Sequence, residues 1–200
     1  MTARARAADS RAAVFVDKDG TLVENVPHNA DPARVRFTPH AGAGLRRLAD
    51  AGLPLFIATN QPALSTGQID PAQFAQLQRA LEERLLDEAG VRLAGWLVCP
   101  HAPTLAAPCG CRKPAPGLLQ RAAREHGIDL ARSWMVGDIL DDIEAGRRAG
   151  CRTVLLDVGN ETLWQLDAWR QPHHRCTDLL QAAQFILASQ QPAVASAAAA

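Results

Sequence analysis

Two hundred residues, 48% of them apolar, suffice for one domain with a substantial core. Lysine plus arginine and aspartate plus glutamate balance at 21 each, so no global field draws the chain to nucleic acid or to a membrane surface. No apolar run reaches the length of a membrane span, and residues 1–11 carry arginines without an apolar stretch, so they read as a disordered leader and not as a secretory signal. The first element is Ala13-Val14-Phe15-Val16, an apolar run that reads as a short buried strand. It stops at Asp17-Lys18-Asp19-Gly20-Thr21. In a parallel sheet, Asp17 and Asp19 then lie just past the strand's C-terminal end, where open α/β sheets place a ligand crevice. Two carboxylates this close repel, and a divalent cation with oxygen ligands relieves the repulsion. The plainer alternative is an ordinary Asp-Gly turn.

Residues 23–39 form a loop with three prolines and an Asn-Ala-Asp-Pro turn signal. A short helix over 41–51 follows, with Leu45 and Leu48 on one side and Gly52 as its stop. The second strand, 53–58, ends in Thr59-Asn60-Gln61. Asp70-Pro71 caps a helix running to about Ala89, with Phe74, Leu77, Leu81 and Leu85 as its apolar stripe. A third strand, Trp96-Leu97-Val98, runs into Cys99. Further on come helix 118–126, strand 133–136 stopping at Gly137-Asp138, helix 141–149, strand 152–156 stopping at Asp157, and a helix capped by Thr177-Asp178. The residues from Ser189 read as a disordered tail. Strands alternating with helices argue for an α/β domain with a mainly parallel sheet.

Two groups carry chemistry. Several strands end in polar residues suited to phosphoryl transfer: Asp17 and Asp19, then Thr59 and Asn60, then Asp138, with Lys113 between them. A carboxylate nucleophile needs its electrophile's charge neutralised, which a hydroxyl, a lysine and Mg²⁺ supply. Singly, these residues have plain alternatives as a turn, a surface charge and a helix cap. The second group is Cys99-Pro-His101 with Cys109-Gly-Cys111. The five cysteines are an odd number, and three crowd into this segment, so they read as metal ligands in a reducing compartment and not as a disulfide framework. Three thiolates and one imidazole make a complete Cys₃His set for a closed structural zinc site. The alternative is three buried cysteines and a surface histidine.

The order Asp17-x-Asp19-Gly20-Thr21, Thr59, Lys113, Gly137-Asp138-x-x-x-Asp142 resembles the haloacid dehalogenase (HAD) superfamily of phosphohydrolases, from about Val14 to Leu156. The resemblance implies a HAD-like Rossmannoid three-layer α/β/α sandwich over residues 12–188, with a small zinc-binding loop over 99–111 and no large cap domain. It implies Asp17 as nucleophile, Asp19 as general acid/base, and Thr59 and Lys113 as stabilisers of the transferring group. Asp17, the carbonyl of Asp19 and Asp138 would hold Mg²⁺, with Asp142 behind them orienting a metal water or Lys113. The cysteine loop is similar to that of the heptose 1,7-bisphosphate phosphatases and the related histidinol-phosphate phosphatases. That likeness implies Arg112, Asn25, His28, Asn60 and Gln61 as substrate contacts, and a small sugar phosphate, D-glycero-D-manno-heptose 1,7-bisphosphate at its C7 phosphate, as substrate. Histidinol phosphate or another small phosphomonoester is the alternative within the class. A phosphoryl-accepting signalling domain is the alternative outside it, although Asp19 is suited to turning an intermediate over. A zinc-held module without activity is a further one. The expected protein is a cytoplasmic monomer. The chain departs from these relatives at Lys18, where Arg is usual, at Pro62-Ala63-Leu64-Ser65-Thr66-Gly67, and at Val158-Gly159-Asn160-Glu161-Thr162.

Overall fold

In the computed structural model, which describes residues 11–103 and 109–190, strand β1 (Val14–Val16) sits inside a six-stranded sheet. The other strands are β2 (Leu55–Asn60), β3 (Gly95–Cys99), β4 (Trp134–Gly137), β5 (Arg152–Leu156) and β6 (His174–Cys176). The order is β3-β2-β1-β4-β5-β6, and every pairing is parallel. The chain builds outward from β1 to β3, then crosses back to β4 and builds the other way. The reversal lies between β1 and β4, the position at which such sheets open a crevice beyond the strand ends.

The alternation of side chains along β1 and β4 separates the two faces. Val14 and Val16, with Trp134 and Val136, pack against α1 (Ala41–Asp50), α2 (Pro71–Ala89) and α5 (Leu179–Ala188). Phe15 and Met135 point the other way, onto Leu118, Leu119 and Ala122 of α3 (Gly117–His126). Leu140 and Ile143 of α4 (Leu140–Ala149) cover Leu155 on β5. Three layers result, α/β/α, and both faces of the sheet are buried.

Helix starts follow local chemistry. Asp70 accepts from Ala72 N at 2.7 Å while Gln73 Oε1 accepts from Asp70 N at 3.2 Å, a reciprocal cap ahead of Pro71. Asp178 caps α5 by accepting from Gln181 N at 2.8 Å. Burial works against ionisation of Asp178, but the Gln181 amide and then His40 outweigh it and hold its carboxyl below the ordinary value. A depressed acid stabilises the fold above its unfolded pKa and loses that contribution as pH falls through the folded one. Asp178→Ala is therefore expected to cost about 1 kcal/mol at pH 7. In urea melts the gap from wild type should narrow below about pH 4; a gap that widens in acid would contradict this.

Several elements differ from those expected. β2 starts at Leu55 and runs through Thr59 and Asn60, which therefore belong to the strand. β6 replaces an expected connection, with His174 and Arg175 on a short edge strand. Arg11, placed in the leader, exchanges backbone hydrogen bonds with Gly127 and Asp129. The remaining leader, residues 1–10, the tail from 191 and residues 104–108 of the cysteine loop lie outside the described residues. Ser189 N, assigned to the tail, bonds Phe185 O at 3.0 Å at the end of α5. No helix among the described residues is long and apolar enough to cross a membrane.

Candidate active site

β1 ends where its neighbours end, so Asp17, Thr59 and Asp138 meet at one edge of the sheet. The Asp17 amide bonds Val136 O at 2.9 Å, tying the strand end to β4. The chain then turns back on itself, with Leu22 N and Val23 N both bonding Lys18 O. Gly20 makes this turn at φ 88°, and a Cβ there would stand 2.3 Å from Asp138 Oδ2. Only glycine permits both the conformation and the approach. Thr21, fully buried, donates to Asp138 Oδ1 at 2.8 Å.

Lys113 reaches this edge from the segment after the cysteines. Its ammonium bonds the Asp17 carboxylate and Ala58 O, and lies 2.6 Å from Asp142 Oδ1. Its backbone is held by Asn60, whose amide accepts from Lys113 N and donates to Lys113 O, both at 3.0 Å. Gly137 lets Asp142 fold over the strand end, since a Cβ there would meet Asp142 Oδ2 at 2.2 Å. Asp142 thus stands at ion-pair distance from Lys113.

Asp17, Asp138 and Asp142 are all buried and offer oxygens within 4.8 Å of one another. Lys113 is the one ammonium among them. Three carboxylates against one cation leave two negative charges in a desolvated place. Burial, with Asp142 and Asp19 nearby, pushes Asp17 up to about 7, although Lys113 opposes it. Burial and Asp17 push Asp138 up to about 6; burial likewise pushes Asp142 up to about 6. Burial also works to discharge Lys113, but Asp142 and Asp17 outweigh it and keep it protonated. A hard dication with oxygen ligands is the species that balances such a cluster, so these residues fit Mg²⁺.

Asp19 is held from two sides. Lys18 Nζ lies 2.5 Å from Asp19 Oδ1, and Gln61 Nε2 donates to Asp19 Oδ2 at 2.9 Å and to Thr59 Oγ1 at 2.9 Å. Gln61 and Asn60, expected to touch substrate, therefore spend their amides on Asp19, Thr59 and the Lys113 backbone. Asn25 lines a cavity of about 270 Å³ together with Thr21. His28 is exposed, at φ 53°, and among the described residues no hydrogen bond or ion pair joins it to the cluster. A cavity of about 650 Å³ opens at the far end of the sheet, between Arg11, Arg132 and Arg152, and holds none of these residues.

The four cysteine-loop residues converge as well. Cys99, Cys109 and Cys111 have sulfurs 3.3–3.7 Å apart, and His101 Nδ1 lies 3.6 Å from Cys99 Sγ and 3.3 Å from Cys111 Sγ. A tetrahedron with Zn–S bonds of 2.3 Å has edges of about 3.8 Å. None of the three is in a disulfide. Burial pushes the Cys99 thiol up to about 12, so it ionises against a bound cation and not alone. Arg112, next in the chain, donates to His101 O at 3.3 Å.

A family model described as HAD-hydrolase-like matches residues 110–182. The D-glycero-beta-D-manno-heptose-1,7-bisphosphate 7-phosphatase of Haemophilus ducreyi is 38% identical over 150 residues, spanning 72% of this chain and 81% of that protein. The chain belongs to the HAD-like hydrolase family of these phosphatases. The D-glycero-alpha-D-manno-heptose-1,7-bisphosphate 7-phosphatase of Photorhabdus laumondii is 34% identical over 74% of this chain and 84% of its own length. The fold of this HAD-like phosphatase also matches a D,D-heptose 1,7-bisphosphate phosphatase from B. bronchiseptica solved with magnesium and phosphate. The TM-score is 0.77 at 28% identity, over 89% of this chain and 99% of the other. As a family member, the protein is a phosphoric monoester hydrolase.

One contact at the phosphatase site was not anticipated. Asn160, from the segment after β5, donates to Asp138 Oδ2 at 2.8 Å. The one signal for it was the departure of residues 158–162 from the related phosphatases.

Proposed function

We propose that this phosphatase removes the C7 phosphate of D-glycero-D-manno-heptose 1,7-bisphosphate through an aspartyl-phosphate at Asp17. The buried pairing of Asp17 with Lys113 carries the mechanism, and the relatives named for this reaction support the substrate. The Asp17 carboxylate attacks phosphorus, the P–O bond to C7 breaks, and Asp19 gives its proton to the departing sugar oxygen. Asp19 then takes a proton from water, which attacks the same phosphorus and frees inorganic phosphate and Asp17. Lys18 and Gln61 fix the Asp19 carboxylate for both transfers. Lys113 and the Thr59 hydroxyl hold the equatorial oxygens. Asp17, the carbonyl of Asp19 and Asp138 would hold Mg²⁺. When bound, the ion neutralises phosphoryl and carboxylate charge.

The test is a panel of both anomers of the bisphosphate, the heptose monophosphates and histidinol phosphate, ranked by kcat/KM. The bisphosphate should lead, with phosphate lost from C7. A lead for histidinol phosphate of about tenfold, or 1.4 kcal/mol in transition-state binding, would overturn the assignment.

Zinc in this reading is structural. Cys99, His101, Cys109 and Cys111 fill four tetrahedral positions and leave none for a catalytic water. The ion would fix the backbone from which Arg112 meets substrate and Lys113 meets Asp17. Cys109→Ser is expected to lower zinc content and kcat/KM while Mg²⁺ binding and the sheet persist. Elemental analysis and calorimetry on that variant decide the matter; unchanged zinc with unchanged kinetics counts against it.

A further inference from the structure

We propose that Asn160 is a positioning residue for the magnesium site, acting through Asp138. The inference rests on the metal reading above. Asp138 receives two hydrogen bonds, one on each oxygen: Thr21 on Oδ1 at 2.8 Å and Asn160 on Oδ2 at 2.8 Å. One donor leaves a carboxylate free to rotate; two donors on opposite oxygens fix its plane. Each oxygen keeps a lone pair for a cation. Both donors are neutral, so they orient Asp138 without cancelling the charge that attracts a dication. The amide orientation follows from chemistry, because the opposite flip would set the Asn160 carbonyl against the carboxylate.

The segment that carries Asn160 is attached at several points. It crosses from β5 to β6 without helix or strand of its own. Glu161 Oε2 accepts from Leu140 N at 3.3 Å, Trp164 packs on the Leu140–Ile143–Leu155 cluster, and Arg170 bonds Glu144 at 2.7 Å and Asp141 at 3.1 Å. All of these partners lie on α4 or β5. The connection is therefore tied to α4 and β5, next to Asp138 and Asp142. Asn160 also fits closely against the catalytic turn, since a Cβ on Gly20 would come within 2.4 Å of its Nδ2. On its other side Asn160 shares the 270 Å³ cavity with Asn25.

The test is Mg²⁺ titration calorimetry, with Mn²⁺ electron paramagnetic resonance as a second probe, on full-length Asn160→Ala, Asn160→Leu, Glu161→Ala and Asp138→Ala. Asn160→Ala and the shape-matched Asn160→Leu should each raise the Mg²⁺ dissociation constant about tenfold. Their melting temperatures in EDTA should match the wild type, and kcat should recover at high Mg²⁺. Glu161→Ala, which loosens the segment without touching Asp138, should stay within about twofold. An unchanged Mg²⁺ constant in both Asn160 variants overturns the proposal. So does a Glu161→Ala effect as large as theirs, which would assign the work to the attachment and not to the amide. Retained Mg²⁺ binding in Asp138→Ala would instead bring down the metal reading beneath it, and this inference with it.

Discussion

Asp17→Asn is expected to fold as the wild type does and to lose roughly 10⁴–10⁶-fold in turnover, the scale of removing a nucleophile. The amide keeps the shape of the carboxylate and the reach to Lys113, but it has no anionic oxygen to attack phosphorus. Stability should move little or upward in EDTA, because the change removes one negative charge from a buried group of three held by one lysine. Circular dichroism, melting in EDTA and single-turnover phosphate release together check this. A folded variant with near-normal turnover would remove the covalent mechanism and leave a water-attack route in its place.

Lys113→Met should be the more damaging change to the protein as a whole. It deletes the ammonium that pairs with Asp17 and Asp142, both buried. Removing one partner of a buried pair costs about 3–5 kcal/mol, because the remaining charge stays desolvated. Loss of a preorganised donor to the transferring group should lower kcat by a further 10²–10³-fold, roughly. The two effects separate in a double variant. Lys113→Met with Asp142→Asn removes one of the two stranded charges, so urea stability should return in part while activity does not. Recovery of both, or of neither, would contradict the division of labour drawn here.

The parts legible in the sequence were those in which chemistry and period coincide. An apolar run meeting two carboxylates marked β1 and its end, and the same logic found Asp138 after β4. The packing stripe of α2 and the caps Asp70 and Asp178 were equally local. The four-residue cysteine set was legible because ligand type and spacing are written in one segment. What escaped depended on distant partners. Asn160 meets Asp138 across 22 positions, and apart from the departure of residues 158–162 from the related phosphatases nothing around Asn160 distinguishes it from a turn residue. The contacts of Asn60 with Lys113 and of Gln61 with Asp19 were illegible for the same reason, since their partners stand 53 and 42 positions away. β6 went unseen because a three-residue edge strand, with His174 half-buried, Arg175 exposed and Cys176 buried, is too short to show a period, and pairing to β5 does the work of pattern.

The place of β1 in the sheet has a consequence during synthesis. Its partner β2 follows soon, but β4, which pairs Val14 with Trp134, is made 120 residues later. At about 5–20 residues per second the ribosome needs roughly 6–24 s to supply it. For that interval the nascent chain carries an apolar strand with one edge unpaired, an open template for another chain. Chaperone dependence at this stage, and aggregation of fragments truncated before residue 134, follow from the strand order.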